Sequence, residues 1–126
     1  MKYKKQLTIT LRILGIYLAI LGILFLLVPG MAEKVFKISL PDPVLTALYG
    51  QVLIIIALMC FLVAADAEKY ANLLWVFIAE QVGHVVILGF FLINGTQNFQ
   101  QVGPSLIINI IFLIALLLFS AKEKAT

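Results

Sequence analysis

The chain has few residues of the types that build metal, haem or thiol sites. Its 126 residues include one histidine and one cysteine, so no intrachain disulfide is possible. A closed metal site needs about four protein ligands, and a dinuclear carboxylate centre needs several facing acids. No nucleophile-elbow, phosphate-loop, paired-cysteine or zinc-protease motif occurs in the sequence. The sequence therefore predicts no metal site, and it assigns no cofactor and no catalytic residue.

Charged residues are also scarce, at 12% of the chain, whereas hydrophobic residues make up 63%. Soluble domains are nearer one half apolar, at about 45–50%, so the composition predicts an integral membrane protein. Most of the cations that give the net charge of +3 lie near the two ends of the chain. They are Lys2, Lys4, Lys5, Arg12, Lys122 and Lys124. This distribution is a membrane-topology signal and argues against a nucleic-acid partner.

Four apolar stretches, at about residues 7–28, 44–65, 71–93 and 105–121, are each long enough to cross a membrane as a helix. A helix rises about 1.5 Å per residue, and the hydrocarbon core is about 30 Å thick. A helix also satisfies its own backbone hydrogen bonds, which lipid cannot do. The sequence predicts an all-α fold, a transmembrane four-helix bundle that forms a single domain over residues 1–126.

Turn-forming residues separate the apolar stretches. Pro43 and Pro104 are predicted to occupy the first turns of the second and fourth spanning helices. Residues 31–40 mix apolar and charged side chains, which predicts a short interfacial segment after the first helix. Four spans put both termini on one side of the membrane, and the cationic ends place that side in the cytoplasm. The chain is predicted to be a multi-pass membrane protein.

Glu80 and His84 stand out because ionisable residues are costly inside a spanning helix. They are one helical turn apart and share a face. Counting about 1.5 Å per residue from the helix ends puts Gln51 and Asn109 at a similar depth. These residues predict an intramembrane polar pocket that binds a ligand. The alternative is that they only hold the helices together by hydrogen bonds.

Arg12 lies about two turns inside the first stretch, on the same face as Gly15, Ala19 and Gly22. Small residues suit close helix packing, so Arg12 is predicted to point into the bundle and extend toward Glu80. Snorkelling to the lipid headgroups, where the charge also sets the topology, is favoured for this side chain over contact with Glu80. The second stretch carries a comparable set of small residues at seven-residue spacing: Gly50, Ala57 and Ala64.

Four short motifs occur in order in the first half of the chain: Leu11-Arg12-Ile13-Leu14-Gly15, Leu21-Gly22, Pro29 and Leu48-Tyr49-Gly50. Their order resembles that of the DoxX-like group of small four-helix bacterial membrane proteins. Some members of that group are associated, as membrane subunits, with quinone-linked oxidoreductase complexes. The resemblance implies a similar fold and a location in the inner membrane of a bacterial cell, and it carries over Arg12 as a candidate functional position.

These features predict a small integral membrane protein that binds a small or lipidic ligand, or an accessory subunit of a membrane complex. Membrane lipid is the expected surrounding, with a second copy of the chain or a complex subunit as a further partner. The alternative is a membrane-embedded isomerase or quinone-linked oxidoreductase, in which Glu80 and His84 act as acid and base.

Overall fold

The computed structural model describes the backbone of residues 4–125 and the side chains of residues 4–120, and this part of the chain contains helices and no strand. The predicted all-α fold is confirmed. The five α-helices, with a 3-10 turn at Ala71–Leu73 before the fourth, are α1 (Lys4–Leu27), α2 (Pro29–Phe36), α3 (Pro43–Ala65), α4 (Leu74–Ile93) and α5 (Phe99–Ala125).

Four of the helices are long and apolar enough to cross a membrane: α1, α3, α4 together with its 3-10 turn, and α5. The predicted number of spanning helices is therefore confirmed, and the chain has the character of a multi-pass membrane protein. The cytoplasmic placement of both ends stays a prediction. Lys2 and the side chains of Lys122 and Lys124, on which that placement partly depends, lie outside the described residues.

The two proline predictions have opposite outcomes. Pro43 does occupy the first turn of α3, where the Asp42 side chain caps the helix by accepting hydrogen bonds from the backbone N–H groups of Val44 and Leu45. Pro104 lies inside α5, because this helix begins at Phe99 and not near residue 105. A reciprocal cap explains the earlier start. The Asn98 side chain accepts from the Gln101 N–H, and the Gln101 side chain accepts from the Asn98 N–H, both at 3.0 Å.

The predicted interfacial segment contains a short helix, α2, that begins slightly earlier than expected, at Pro29. Ala32 is fully buried, whereas Met31 and Val35 are more than half exposed, so one face packs on the bundle and the other points away. The chain after α2 folds back against it, because the Leu40 N–H donates to Glu33 Oε1 at 3.0 Å. The segment therefore covers one end of the bundle.

The closest helix pair is α1 with α3, and the small residues at their boundary explain why. A methyl group added at Gly22 would lie 2.8 Å from the Gly50 carbonyl oxygen, and one added at Gly50 would lie 2.7 Å from the Gly22 carbonyl oxygen. Seven residues earlier in α1 and seven later in α3, Gly15 faces Ala57, whose carbonyl oxygen would lie 3.3 Å from a methyl group added at Gly15. The predicted use of these small residues for close packing is confirmed.

The helices pack unevenly around the bundle. A second pair is formed by α4 and α5, whereas α3 and α4 make little direct backbone contact. The half of the bundle in which α1 begins and α3 ends is closed by fully buried apolar side chains, including Leu7, Leu11, Val63, Phe77 and Leu116. The opposite half, which α2 covers, is less tightly filled and contains a cavity.

Candidate functional site

The cavity has a volume of about 420 Å³ and is walled by all five helices. At about 30 Å³ for each water-sized atom, it has room for on the order of a dozen non-hydrogen atoms. Its walls are mostly aliphatic and aromatic, with Leu18, Phe25, Leu53 and Phe91 among them. A mostly apolar pocket of this size that carries a few polar groups has the general character of a small-molecule site.

Aromatic rings shape one wall of the cavity. The Phe25 ring stacks on Phe36 at a centroid distance of 5.9 Å and meets the Tyr49 ring edge-on at 5.3 Å. These contacts connect α1, α2 and α3 and hold the Tyr49 ring at the cavity wall. On another side, Tyr17 packs against Phe112 of α5 with a centroid distance of 5.7 Å. Both tyrosines thus occupy fixed positions on a largely apolar surface.

His84 lies on the α4 side of the cavity and faces Tyr49 of α3. Its Nε2 atom is 3.4 Å from the Tyr49 hydroxyl oxygen. Its Nδ1 atom is 3.0 Å from the main-chain oxygen of Glu80 and also 3.0 Å from Glu80 Oε1. The imidazole therefore connects a carboxylate on one side with a phenol and the cavity on the other.

Glu80 lies behind His84 and is not part of the cavity wall. Its Oε2 atom accepts a hydrogen bond of 2.6 Å from the Gln81 side-chain amide. Its buried Oε1 atom receives no hydrogen bond from the described residues, although His84 Nδ1 is close by, because the Nδ1 hydrogen points at the main-chain oxygen. Gln81 itself is fully buried, and its own side-chain oxygen is unpaired within the described part of the chain. Glu80 therefore affects the cavity by its contact with His84 and does not touch the cavity itself.

The remaining predicted site residues divide into two groups. Asn109 is buried and lines the cavity, and its amide donates to the main-chain oxygen of Ser105 at 2.7 Å. Gln51 and Arg12 lie on exposed faces and are not among the cavity-lining residues. The predicted inward orientation of Arg12 is wrong. The buried face of α1 is centred on Leu11 and Leu18, and Arg12 is turned about 100° away from Leu11.

Several cavity residues were not predicted as site residues. The polar ones are Tyr17, Thr46, Tyr49, Gln97, Gln101 and Ser105. Tyr49 resembled an interfacial anchor, because its depth in α3 is close to the membrane boundary. Gln97 and Gln101 lie in and just after the uncharged connection between α4 and α5, whose composition is equally typical of a solvated loop. The structure distinguishes these roles, because it places Tyr49, Gln97 and Gln101 on the wall of one cavity.

The fold and the cavity define a small polytopic helical membrane protein with an intrabundle pocket. No family model, curated protein or solved structure matches the chain. Within residues 4–120, no cluster of three or more histidine, cysteine or acidic side chains could hold a metal ion. The cavity and its residues are therefore the features of the described chain that bear on its function.

Proposed function

We propose that this protein binds a small amphipathic molecule in the cavity beneath α2. The observation that carries the proposal is a pocket of about 420 Å³ whose apolar walls include His84, Tyr49 and Asn109. Polar groups placed on an apolar surface fix the orientation of a ligand, while the apolar walls hold its hydrocarbon part. Ionisable and polar groups at membrane depth also cost free energy, which a bound polar group would offset.

The position of the pocket favours a ligand that arrives from the lipid phase. Tyr49 and His84 line the cavity and are both partly exposed, and they belong to α3 and α4, which make little direct backbone contact. The opposite half of the bundle is closed by buried leucine, valine and phenylalanine side chains. A blind pocket of this kind suits binding better than transport, which needs access from both sides of the membrane.

The proposed topology has both termini in the cytoplasm of a bacterial cell, in agreement with the cationic ends, and the cavity half facing outward. We expect a reporter that fluoresces only in the cytoplasm to be bright when fused after Thr126. A periplasm-dependent phosphatase fused at the same place is expected to be inactive. A second pair of fusions in the connection between α4 and α5, after Gly95, is expected to give the reverse pattern. Phosphatase activity at the C-terminus would contradict this topology.

Native mass spectrometry of protein extracted from membranes tests the binding proposal. We expect a retained molecule of lipidic character, and a double variant, Tyr49→Phe with His84→Leu, is expected to retain about tenfold less of it. Each lost hydrogen bond removes roughly 0.5 to 1.5 kcal/mol of binding free energy. The matched control is Gln51→Leu, which changes an exposed polar residue outside the cavity. Equal retention by all three proteins would contradict the proposal, and a retained partner chain would instead favour an accessory subunit.

An enzymatic function is the second candidate, because the Glu80 carboxylate and the His84 imidazole are in contact beside the pocket. A carboxylate next to an imidazole suits proton transfer to or from a bound molecule. The same spectra distinguish the two functions over time. Binding alone leaves the mass and the fragmentation pattern of the retained molecule unchanged during incubation, whereas an isomerase or oxidoreductase alters one of them in the wild type and not in Glu80→Gln.

A further inference from the structure

We infer that the ligand carries a hydroxyl group, phenolic or alcoholic, that donates a hydrogen bond to Nε2 of His84. This inference rests on the proposed function and adds the chemical class of the molecule bound. It depends on the acceptors that His84 and Gln97 present to the cavity.

The contacts of Nδ1 set the tautomer of His84. Nδ1 is 3.0 Å from the main-chain oxygen of Glu80, which can only accept a hydrogen bond, and the geometry of that contact is satisfied. The proton of a neutral imidazole is therefore on Nδ1, and Nε2 carries a lone pair. Nε2 is directed toward Tyr49 at the cavity wall, so the ring offers the cavity an acceptor.

Three side chains of the cavity wall donate hydrogen bonds to main-chain oxygens of the protein. The Thr46 hydroxyl donates to the main-chain oxygen of Asp42 at 2.8 Å, and the amide of Asn109 donates to Ser105 at 2.7 Å. The amide of Gln101 donates to the main-chain oxygen of Lys37 at 2.8 Å. The hydroxyl of Tyr49 faces the lone pair of His84. The Thr46 hydroxyl hydrogen is therefore used within the protein, and each of the two amides uses one of its two N–H groups in the same way.

Two acceptors of the cavity wall, on Gln97 and His84, are available to a ligand. The side-chain oxygen of Gln97 lines the cavity, is buried, and has no partner among the described residues. The contact between Tyr49 and His84 is long for a hydrogen bond, at 3.4 Å, so a stronger donor could displace the phenol from Nε2. An unpaired buried acceptor costs free energy, so a ligand that donates to Nε2 or to the Gln97 oxygen is favoured.

Glu80 acts here as a positioning residue. Its Oε1 atom lies beside Nδ1, which keeps the proton on that nitrogen and makes Nε2 a better acceptor. The carboxylate is shielded from the cavity by the imidazole, so a cationic amine could not pair with it directly. A neutral hydroxyl group fits this arrangement better than an ammonium group.

Nitrogen NMR tests the tautomer directly, because His84 is the only histidine in the chain. Protein labelled with ¹⁵N-histidine and purified without a histidine tag gives one pair of ring signals. We expect Nδ1 to be protonated and Nε2 to be unprotonated at neutral pH. In the Glu80→Gln variant, we expect the same signals to show that part of the His84 population has changed to the opposite tautomer. A wild-type ring protonated at Nε2, alone or at both nitrogens, would overturn the inference.

Two matched probes test the ligand class: para-hexylphenol and its methyl ether, which differ only in the donor. We expect the wild type in detergent to bind the phenol about tenfold more tightly, and the phenol alone to shift the Nε2 signal. His84→Leu is expected to bind both probes equally, and its binding of the ether shows that the cavity is intact. Equal binding of both by the wild type overturns the hydroxyl inference and leaves the proposed function standing. Binding of neither probe contradicts both.

Discussion

Gly50→Ala is expected to destabilise the protein by about 1 to 3 kcal/mol, although alanine is the better helix former. The added methyl group would lie 2.7 Å from the Gly22 carbonyl oxygen and 2.8 Å from the backbone nitrogen of Leu26. Both neighbours are helix backbone, which cannot rotate aside as a side chain can. The two helices must move apart, and the tightest contact in the bundle is lost.

The matched control is Gly89→Ala in α4. A methyl group at Gly89 meets nothing within 4 Å, so this substitution is expected to leave the stability unchanged or to raise it by up to about 1 kcal/mol. The same chemical change is thus expected to lower the stability at Gly50 and not at Gly89, although both positions lie inside spanning helices. Cys60 supplies the measurement, because this single cysteine is fully buried and becomes reactive to a thiol dye only when the bundle opens.

Gly22→Ala and the double variant complete this test. Gly22 and Gly50 face each other, so one separation of the helices relieves both substitutions. We expect the double variant to cost clearly less than the sum of the two single variants. Additive costs, or a Gly50→Ala protein as stable as the wild type, would show that α1 and α3 do not cross at these glycines.

Much of the fold could be predicted from the sequence, because hydrophobic length and turn residues define spanning helices directly. The predicted start of α5 is too late, because Gly103-Pro104 is a common turn signal and the helix begins at Phe99, beside the Asn98 and Gln101 cap. A proline in the sixth position of a helix is tolerated at the loss of one backbone hydrogen bond, whereas a reciprocal cap satisfies two donors. The cap is the stronger signal for where that helix begins.

The candidate site could be predicted only in part, because counting residues gives the depth of a side chain and not its direction. In a spanning helix the lipid-facing and core-facing positions are equally apolar, so periodicity does not identify the buried face. Gln51 illustrates the limit: it follows Gly50 in sequence, and the buried face of α3 passes through Gly50 and Leu53 and leaves Gln51 exposed. Small residues were the better guide, since they mark where two backbones meet.

Leu88→Trp is expected to weaken the binding of para-hexylphenol and of its methyl ether alike, by about tenfold or more. Leu88 lines the cavity one turn beyond His84, so an indole ring there takes up space that a ligand needs. Filling an apolar cavity also adds contacts in the free protein, so its thermal stability is expected to stay the same or to rise by about 0.5 to 2 kcal/mol. Loss of binding together with retained stability separates a blocked pocket from a misfolded bundle.

The control is Ile87→Trp, at the neighbouring position, where the side chain is 57% exposed and does not line the cavity. It introduces the same ring at nearly the same depth, so any general effect of tryptophan on the bundle or on detergent binding appears in both proteins. We expect its affinity for both probes to match that of the wild type. If Leu88→Trp also bound both probes as the wild type does, the ligand would have to occupy some place other than this cavity. The contact between His84 and Tyr49 would then be a structural link between α4 and α3, since polar contacts of this kind stabilise membrane helices by about 0.6 to 2 kcal/mol without any ligand.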